Sequence, residues 1–296
     1  MKRTKKLLAL LLALSMSLAL AACGGTAQEA SSAANEDANA AGSETAESAE
    51  NAAAAEEMTE SDLAYVQNKG TLVVGITEFE PMDYQDADGT WIGFDADMAR
   101  QFAASLGVEP EFQLINWDSK VMELDGRTID VVWNGMTLTD EVLNSMECSK
   151  PYFDNAQVVV VSKDAAENYR TAESMADLAF AVESGSAGME QAQANGFQYT
   201  EVTDQATALL EVASGTADAA IIDFLMAAAM VGEGTSYENL AYTIGLNTEA
   251  YGVGFRKGSD LAAALNDFFA ASYEDGSMQA IAERYNLQDA LVDQTA

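Results

Sequence analysis

The chain has 296 residues, with 48 acidic and 14 basic side chains and no histidine, for a formal charge of −34. Four of the bases and none of the acids lie before residue 24, so the remainder carries −38, a surface that repels nucleic acid and anionic lipid. The missing histidine removes the commonest general acid–base group and counts against an enzyme.

Lys2, Arg3, Lys5 and Lys6 precede an apolar run from Leu7 to Ala22, which closes on Leu20-Ala21-Ala22-Cys23. A basic start, a short apolar core and small residues at its end predict an export signal over 1–22. Its 16-residue run is short for a membrane-spanning helix, which needs about 20. Cys23 resembles the cysteine of a bacterial lipobox. The expectation is therefore a lipid on Cys23 and a protein held outside the cytoplasmic membrane, at the cell surface or in the periplasm. From Gly24 to Glu60 the chain is rich in Ala, Glu, Ser and Asn and has no aromatic residue. Such a segment cannot bury enough apolar surface to offset its ordering entropy, so residues 23–60 read as a lipidated cysteine and a disordered acidic linker spanning roughly 30 to 35 Å. Cys148 is then the one remaining thiol, which excludes an intrachain disulfide and, without a histidine to activate it, reads as a packed structural cysteine.

The residues from Ser61 onward suffice for one large or two modest domains. TLVVGI (Thr71–Ile76) is a β-rich run ending at a polar loop. In YQDADGTWIGFD, Asp88-Gly89 between strand-like flanks predicts a tight hairpin. Asp86, Asp88 and Gly89 make a poor calcium loop, because the third ligand and the closing glutamate are missing. From Asp95 to Leu106, Met98, Phe102 and Leu106 recur every four residues beside Ala99 and Ala103, an amphipathic helix stopped by Gly107. EFQLI is the next strand, Trp117-Asp118 opens a helix through Leu124, and IDVVWN is a third strand. Such alternation predicts βαβ units and a largely parallel sheet.

The alternation restarts with QVVVVSK (Gln157–Lys163), an apolar strand suited to crossing between two bodies. AFAVESGSAG gives a strand and turn before a helix near Met189. FQYTEV, a helix over Asp204–Ser214, DAAIID and a helix from Phe224 repeat the pattern. Tyr251–Gly258 is a strand, and helices over Ser259–Asp275 and Met278–Tyr285 close the chain.

Taken in order, LVVGITEFEPMDY, GFDADMARQFAASLGV, INWDSKVMEL, IDVVWNGMTLT, PYFDNAQVVVV, AVESGSAG, ADAAIID and YGVGFRKGS resemble the polar amino-acid family of extracytoplasmic solute-binding proteins. These are the receptor subunits of ATP-driven (ABC) importers, and the resemblance runs from Asp62 to Leu287. It implies an α/β fold of the two-lobed, type II periplasmic-binding kind, each lobe a mostly parallel sheet flanked by helices. Lobe 1 would comprise 61–155 plus 251–296 and lobe 2 156–250, with a two-strand hinge near Gln157–Val161 and Thr248–Val253. It further implies a monomer that binds an amino acid or amino-acid-like amine, permease subunits as partners, and no cofactor, metal, nucleic acid or catalysis.

The same resemblance carries site roles. Phe79 and Trp117 fall where rings stack on the ligand, and Asn134, Gly135 and Thr137 would supply hydrogen bonds from lobe 1. Ser186 and Ala187, with Gly188, begin a lobe 2 helix whose free amides favour an anion. Asp223 matches the carboxylate that holds the ligand's ammonium, and Tyr84 and Asn155 are secondary candidates. From the residues alone, Phe79 and Trp117 also suit a core, Asn134 and the threonines a turn or cap, and Asp223 the N-cap of the next helix.

Two departures bear on the ligand. The family's arginine, which forks onto the ligand's carboxylate, falls at Val142 beside Glu141, and its lobe 2 threonine falls at Ala187. An arginine–carboxylate fork is among the stronger polar contacts, so three alternatives stay open. The ligand is an amine without a carboxylate, or its carboxylate rests on amides near Ser186 and on Thr137, or Lys120 or Arg127 swings in. The last is disfavoured by their expected helix-surface and loop positions. Aspartate and glutamate are expected to be poor ligands. A sensing module for a signalling partner and a dehydratase-like enzyme are the other functions compatible with the fold.

Overall fold

Apolar runs bounded by polar turns become strands, and amphipathic stretches between them become the helices that cover the sheets. The computed structural model describes residues 61–295; the signal, Cys23 and linker expected at 1–60 lie outside the described residues. β1 (Thr71–Ile76) is followed by a hairpin of β2 (Tyr84–Gln85) and β3 (Trp91–Ile92), turned at Gly89 with φ +78°. The Phe94–Leu106 helix buries Met98, Ala99, Phe102 and Ala103 and ends at Gly107. β4 (Glu109–Leu114) and β5 (Val131–Thr137) then pair in parallel on either side of β1.

Three short elements come next: the Asp140–Ser145 helix, β6 (Glu147–Cys148) and β7 (Phe153–Asn155). The chain passes through Ala156 into β8 (Gln157–Ser162) and builds a second sheet. Its strands are β9 (Ala179–Glu183), β10 (Gln198–Val202), β11 (Ala219–Asp223) and β12 (Leu240–Gly245). It returns through β13 (Glu249–Phe255) to the first sheet, and the helices Leu261–Glu274 and Ser277–Arg284 pack behind.

The first sheet runs β4-β1-β5-β13-β6, with β7 also on β13, and the second runs β10-β9-β11-β8-β12. Each has three parallel strands, and the crossing strands add antiparallel pairing: β13 against β5, β8 against β11. The two sheets are therefore near copies, and the carboxyl ends of their parallel strands face one another. Ligands of such sheets bind in the crevice beyond those ends.

The structure adds elements that the local pattern does not show. β12 is a half-exposed edge strand, and β6 and β7 are too short to display a period. The strand expected through Gly258 ends at Phe255, and beyond the buried Arg256 the chain turns outward at Lys257 and Gly258.

Candidate functional site

The carboxyl ends of β1 and β5 form the first wall. Asn134 is buried, and its amide oxygen accepts from the Thr77 N–H (2.9 Å) and hydroxyl (2.7 Å). Its amide nitrogen donates to the Thr77 carbonyl and to Asp83 Oδ2 (2.9 Å). Gly135 takes a left-handed φ of +55°, and its N–H donates to Asp95 Oδ2 at 2.6 Å. A Cβ at 135 would lie 2.6 Å from Phe79 Cε1, so the missing side chain is what seats the Phe79 ring. Phe79 also packs edge-on against Tyr251, at 6.3 Å between centroids.

Trp117, at the start of a 3₁₀ turn, and Lys120, on the Lys120–Asp125 helix, form the flank of this wall. Lys120 is 7% exposed. Its ammonium lies 5.0 Å from the Trp117 ring centre and donates to the Trp117 carbonyl at 3.2 Å. Thr139 caps the Asp140–Ser145 helix, which turns Val142 into the cleft as an apolar surface.

The second wall comes from the ends of β9 and β11. Ser186 caps the Ala187–Asn195 helix, accepting from the Met189 N–H and donating to the Glu183 carbonyl at 2.7 Å. The first-turn amides of Ala187 and Gly188 lie beyond the reach of any intrahelical carbonyl. Glu183 and Asp223 end their strands side by side, each 3% exposed. Asp223 makes no cap bond to the helix that follows it. Instead its Oδ1 accepts from Asn155 (2.5 Å), Gln157 (3.0 Å) and the Tyr251 hydroxyl (2.9 Å), while Oδ2 accepts from Gln205. The Asn155 and Gln157 amides also donate to Glu249 Oε1, at 2.7 and 2.8 Å, and Thr137 donates there at 2.8 Å.

Burial sets the protonation of these acids. It raises the Asp223 carboxyl well above the usual range, reinforced by neighbouring Glu249. It raises Glu183 likewise, reinforced by Asp223. The Lys120 ammonium is pulled down by burial and supported from a distance by Glu141 and Glu183.

Phe79, Trp117, Asn134, Gly135, Thr137, Ser186, Ala187 and Asp223 all line one cleft between the two sheets. It is shut, enclosing only about 20 Å³, room for about one water. Two contacts hold it so: Lys120 Nζ donates across the gap to the Gly185 carbonyl at 2.9 Å, and Gly185 abuts Asp118 closely enough that a Cβ would sit 2.6 Å from its Cα.

The chain matches the bacterial extracellular solute-binding proteins, family 3, over residues 72–288. It belongs to that family. It is 32% identical over 225 residues to the L-cystine-binding protein TcyJ of Escherichia coli (strain K12), covering 74% of this chain and 84% of that one. The arginine-binding extracellular protein ArtP of Bacillus subtilis (strain 168) is 25% identical over 226 residues, 73% of this chain and 86% of its own. An ABC uptake transporter substrate-binding protein from Streptococcus pneumoniae with bound histidine superimposes with a TM-score of 0.72 at 28% identity, over 79% of this chain and all of that one.

Within this solute-binding protein two sequence expectations are corrected. Lys120 is not on a helix surface; the opposite lobe covers it, so the cleft does contain a cation. Tyr84 lies outside the cleft, beside Glu80, Pro81 and Phe224. Arg127 stays on the surface, its guanidinium 4.6 Å from the Tyr65 ring, and Asn155 stands behind Asp223. Glu183, Glu190 and Gln205 line the cleft without having been placed there from sequence, and Lys120, offered there only as a disfavoured alternative, lines it too. Glu183 had a usable signal, because it ends a parallel strand as Asp223 does.

Proposed function

We propose that this solute-binding protein captures an amino acid or amino-acid-like amine by closing its two lobes, 61–155 with 251–296 and 156–250. It then presents the closed form to the permease of an ABC importer. In this reading a lipid on Cys23 tethers it outside the cytoplasmic membrane, and Phe79, Trp117, Thr137 and Asp223 contact the ligand. Asn134, Gly135 and Ser186 act by shaping the walls, since their polar groups are engaged within the protein.

The observation that carries this reading is convergence. Polar and aromatic residues from the strand ends of both sheets meet in one shut cleft with a buried carboxylate, Asp223. The cystine-, arginine- and histidine-binding names of the similar proteins agree with an amino-acid ligand. The test is a thermal-shift screen of the standard amino acids, cystine and the corresponding decarboxylated amines. A ligand at 100 times its Kd stabilises by about 2.7 kcal/mol, a rise in melting temperature of several degrees. No shift with any of them, or the largest shift with aspartate or glutamate, refutes the proposal.

A further inference from the structure

The cleft holds two buried ionisable groups, Lys120 and Glu183, that feel one another only at a distance and form no ion pair. Lys120 is 93% buried by its 7% exposure, yet among the described residues it enters no ion pair. Two of its three N–H bonds go to the carbonyls of Trp117 and Gly185. Across the cleft, Glu183 is buried more deeply still, and its Oε1 has no hydrogen-bond partner. A buried ammonium held by neutral carbonyls, with carboxyls only at a distance, is poorly compensated, so Lys120 calls for a nearer counter-charge and Glu183 Oε1 for a donor from outside the chain. The pattern they make with Asp223 is one cation opposite two carboxyls, the complement of a zwitterion.

We propose that Lys120 is the specificity-determining residue that receives the carboxylate of a zwitterionic amino acid, with Glu183 joining Asp223 at its ammonium. This rests on the amino-acid reading above and goes beyond it by choosing among the ligand classes. Val142 leaves the helix 140–145 without a cation, and Lys120 supplies one from the neighbouring helix. Because Lys120 also grips the Gly185 carbonyl, the carboxylate docks where the two lobes touch. A ligand lacking that carboxylate leaves the lysine unmatched in the shut form.

The test is titration calorimetry on the full protein, wild type against Lys120→Met, Lys120→Gln and Lys120→Arg. The probes are matched pairs: L-arginine and agmatine, L-histidine and histamine, L-cystine and cystamine. A lost charge-assisted contact predicts that Lys120→Met and Lys120→Gln weaken the amino acid roughly 10- to 100-fold. They should change the paired amine less than about threefold, and Lys120→Arg should restore most of the amino-acid affinity. Glu183→Gln should weaken both members of a pair. Wild type binding amines but not amino acids, or Lys120→Met binding the amino acid like wild type, overturns this assignment alone. Equal loss of both members in folded Lys120→Met and Lys120→Gln also overturns it, because that marks a latch and not a carboxylate partner. Wild type binding none of the six, and none of the other standard amino acids in the thermal-shift screen, overturns the amino-acid reading itself.

Discussion

Gly185→Ala tests lobe closure directly. A Cβ at 185 would meet Asp118 Cα at 2.6 Å, its Cβ at 2.7 Å and its N–H nitrogen at 3.2 Å. Carbon atoms in contact sit about 3.5–4.0 Å apart, so the two walls must separate by about 1 Å. Two costs then fall on different states. The left-handed backbone at 185, with φ +69°, strains alanine by about 1–2 kcal/mol whether the lobes are open or shut. The clash with Asp118 exists only when they are shut, and overpacking of this kind costs about 1–3 kcal/mol. The first cost lowers the ligand-free melting temperature by about 2–8 °C for a domain of this size. The second weakens ligand binding roughly 5- to 150-fold, since binding must now drive a more costly closure. Differential scanning fluorimetry reads the first effect and calorimetry of wild type and variant reads the second. A folded Gly185→Ala with wild-type affinity refutes the link between this contact and closure on the ligand.

Asp223→Asn should weaken ligand binding about 30-fold or more, the cost of removing one partner of a buried charge pair. Its ligand-free melting temperature should fall by a few degrees, because the new NH2 faces donors that the carboxyl oxygens now accept from, and relief of the repulsion with Glu249 offsets only part of that. Calorimetry and a thermal melt check both. Asp95 accepts from the Gly135 N–H and the Tyr152 hydroxyl, yet burial pushes its carboxyl from 3.8 up to about 7. Between those values the folded chain binds more protons than the unfolded one, so stability falls as pH rises. Urea unfolding at pH 5 and pH 7 should show a shallower decline in Asp95→Asn, by up to about 1.4 kcal/mol per pH unit. Asp130 is fully buried and pairs with Lys69 at 2.5 Å and Arg256 at 3.5 Å. Asp130→Asn takes the ion-pair partner from Lys69 and leaves Arg256 with Asp62 alone, so it costs about 3 kcal/mol, the low end for a broken buried pair, and should lower the melting temperature by roughly 6–12 °C. Burial raises the Cys148 thiol to about 11, so a thiol reagent at pH 8 should label it slowly in the folded protein and promptly in urea.

The fold was legible because its signals are local. TLVVGI is continuous apolar sequence, Phe94–Leu106 carries a clean helical stripe, and Gly107 stops it. β12 was not legible, since Leu240–Gly245 earns its place by pairing with β8 and not by its own pattern. In the site, positions could be read and directions could not. Sequence brought Asn134, Gly135 and Ser186 to the cleft, but their hydrogen bonds turn inward, to Thr77, Asp95 and Glu183. Lys120 failed for a different reason. Its helix is only six residues long, too short to reveal a buried face, and the surface that covers it belongs to a segment 65 residues away.

The side-chain amides of Asn155 and Gln157 flank the first crossing between the sheets, and each holds both Asp223 and Glu249. On the proposed function, the carboxyl that meets the ligand is thereby fastened to the strands about which the lobes would turn. In mechanical terms the load is applied beside the fulcrum. Were the lobes to turn there, a displacement too small to disturb a hydrogen bond would be multiplied along each lobe and become largest at the outer rims. The chemistry of recognition and the surface that announces it can then sit far apart, linked by leverage alone.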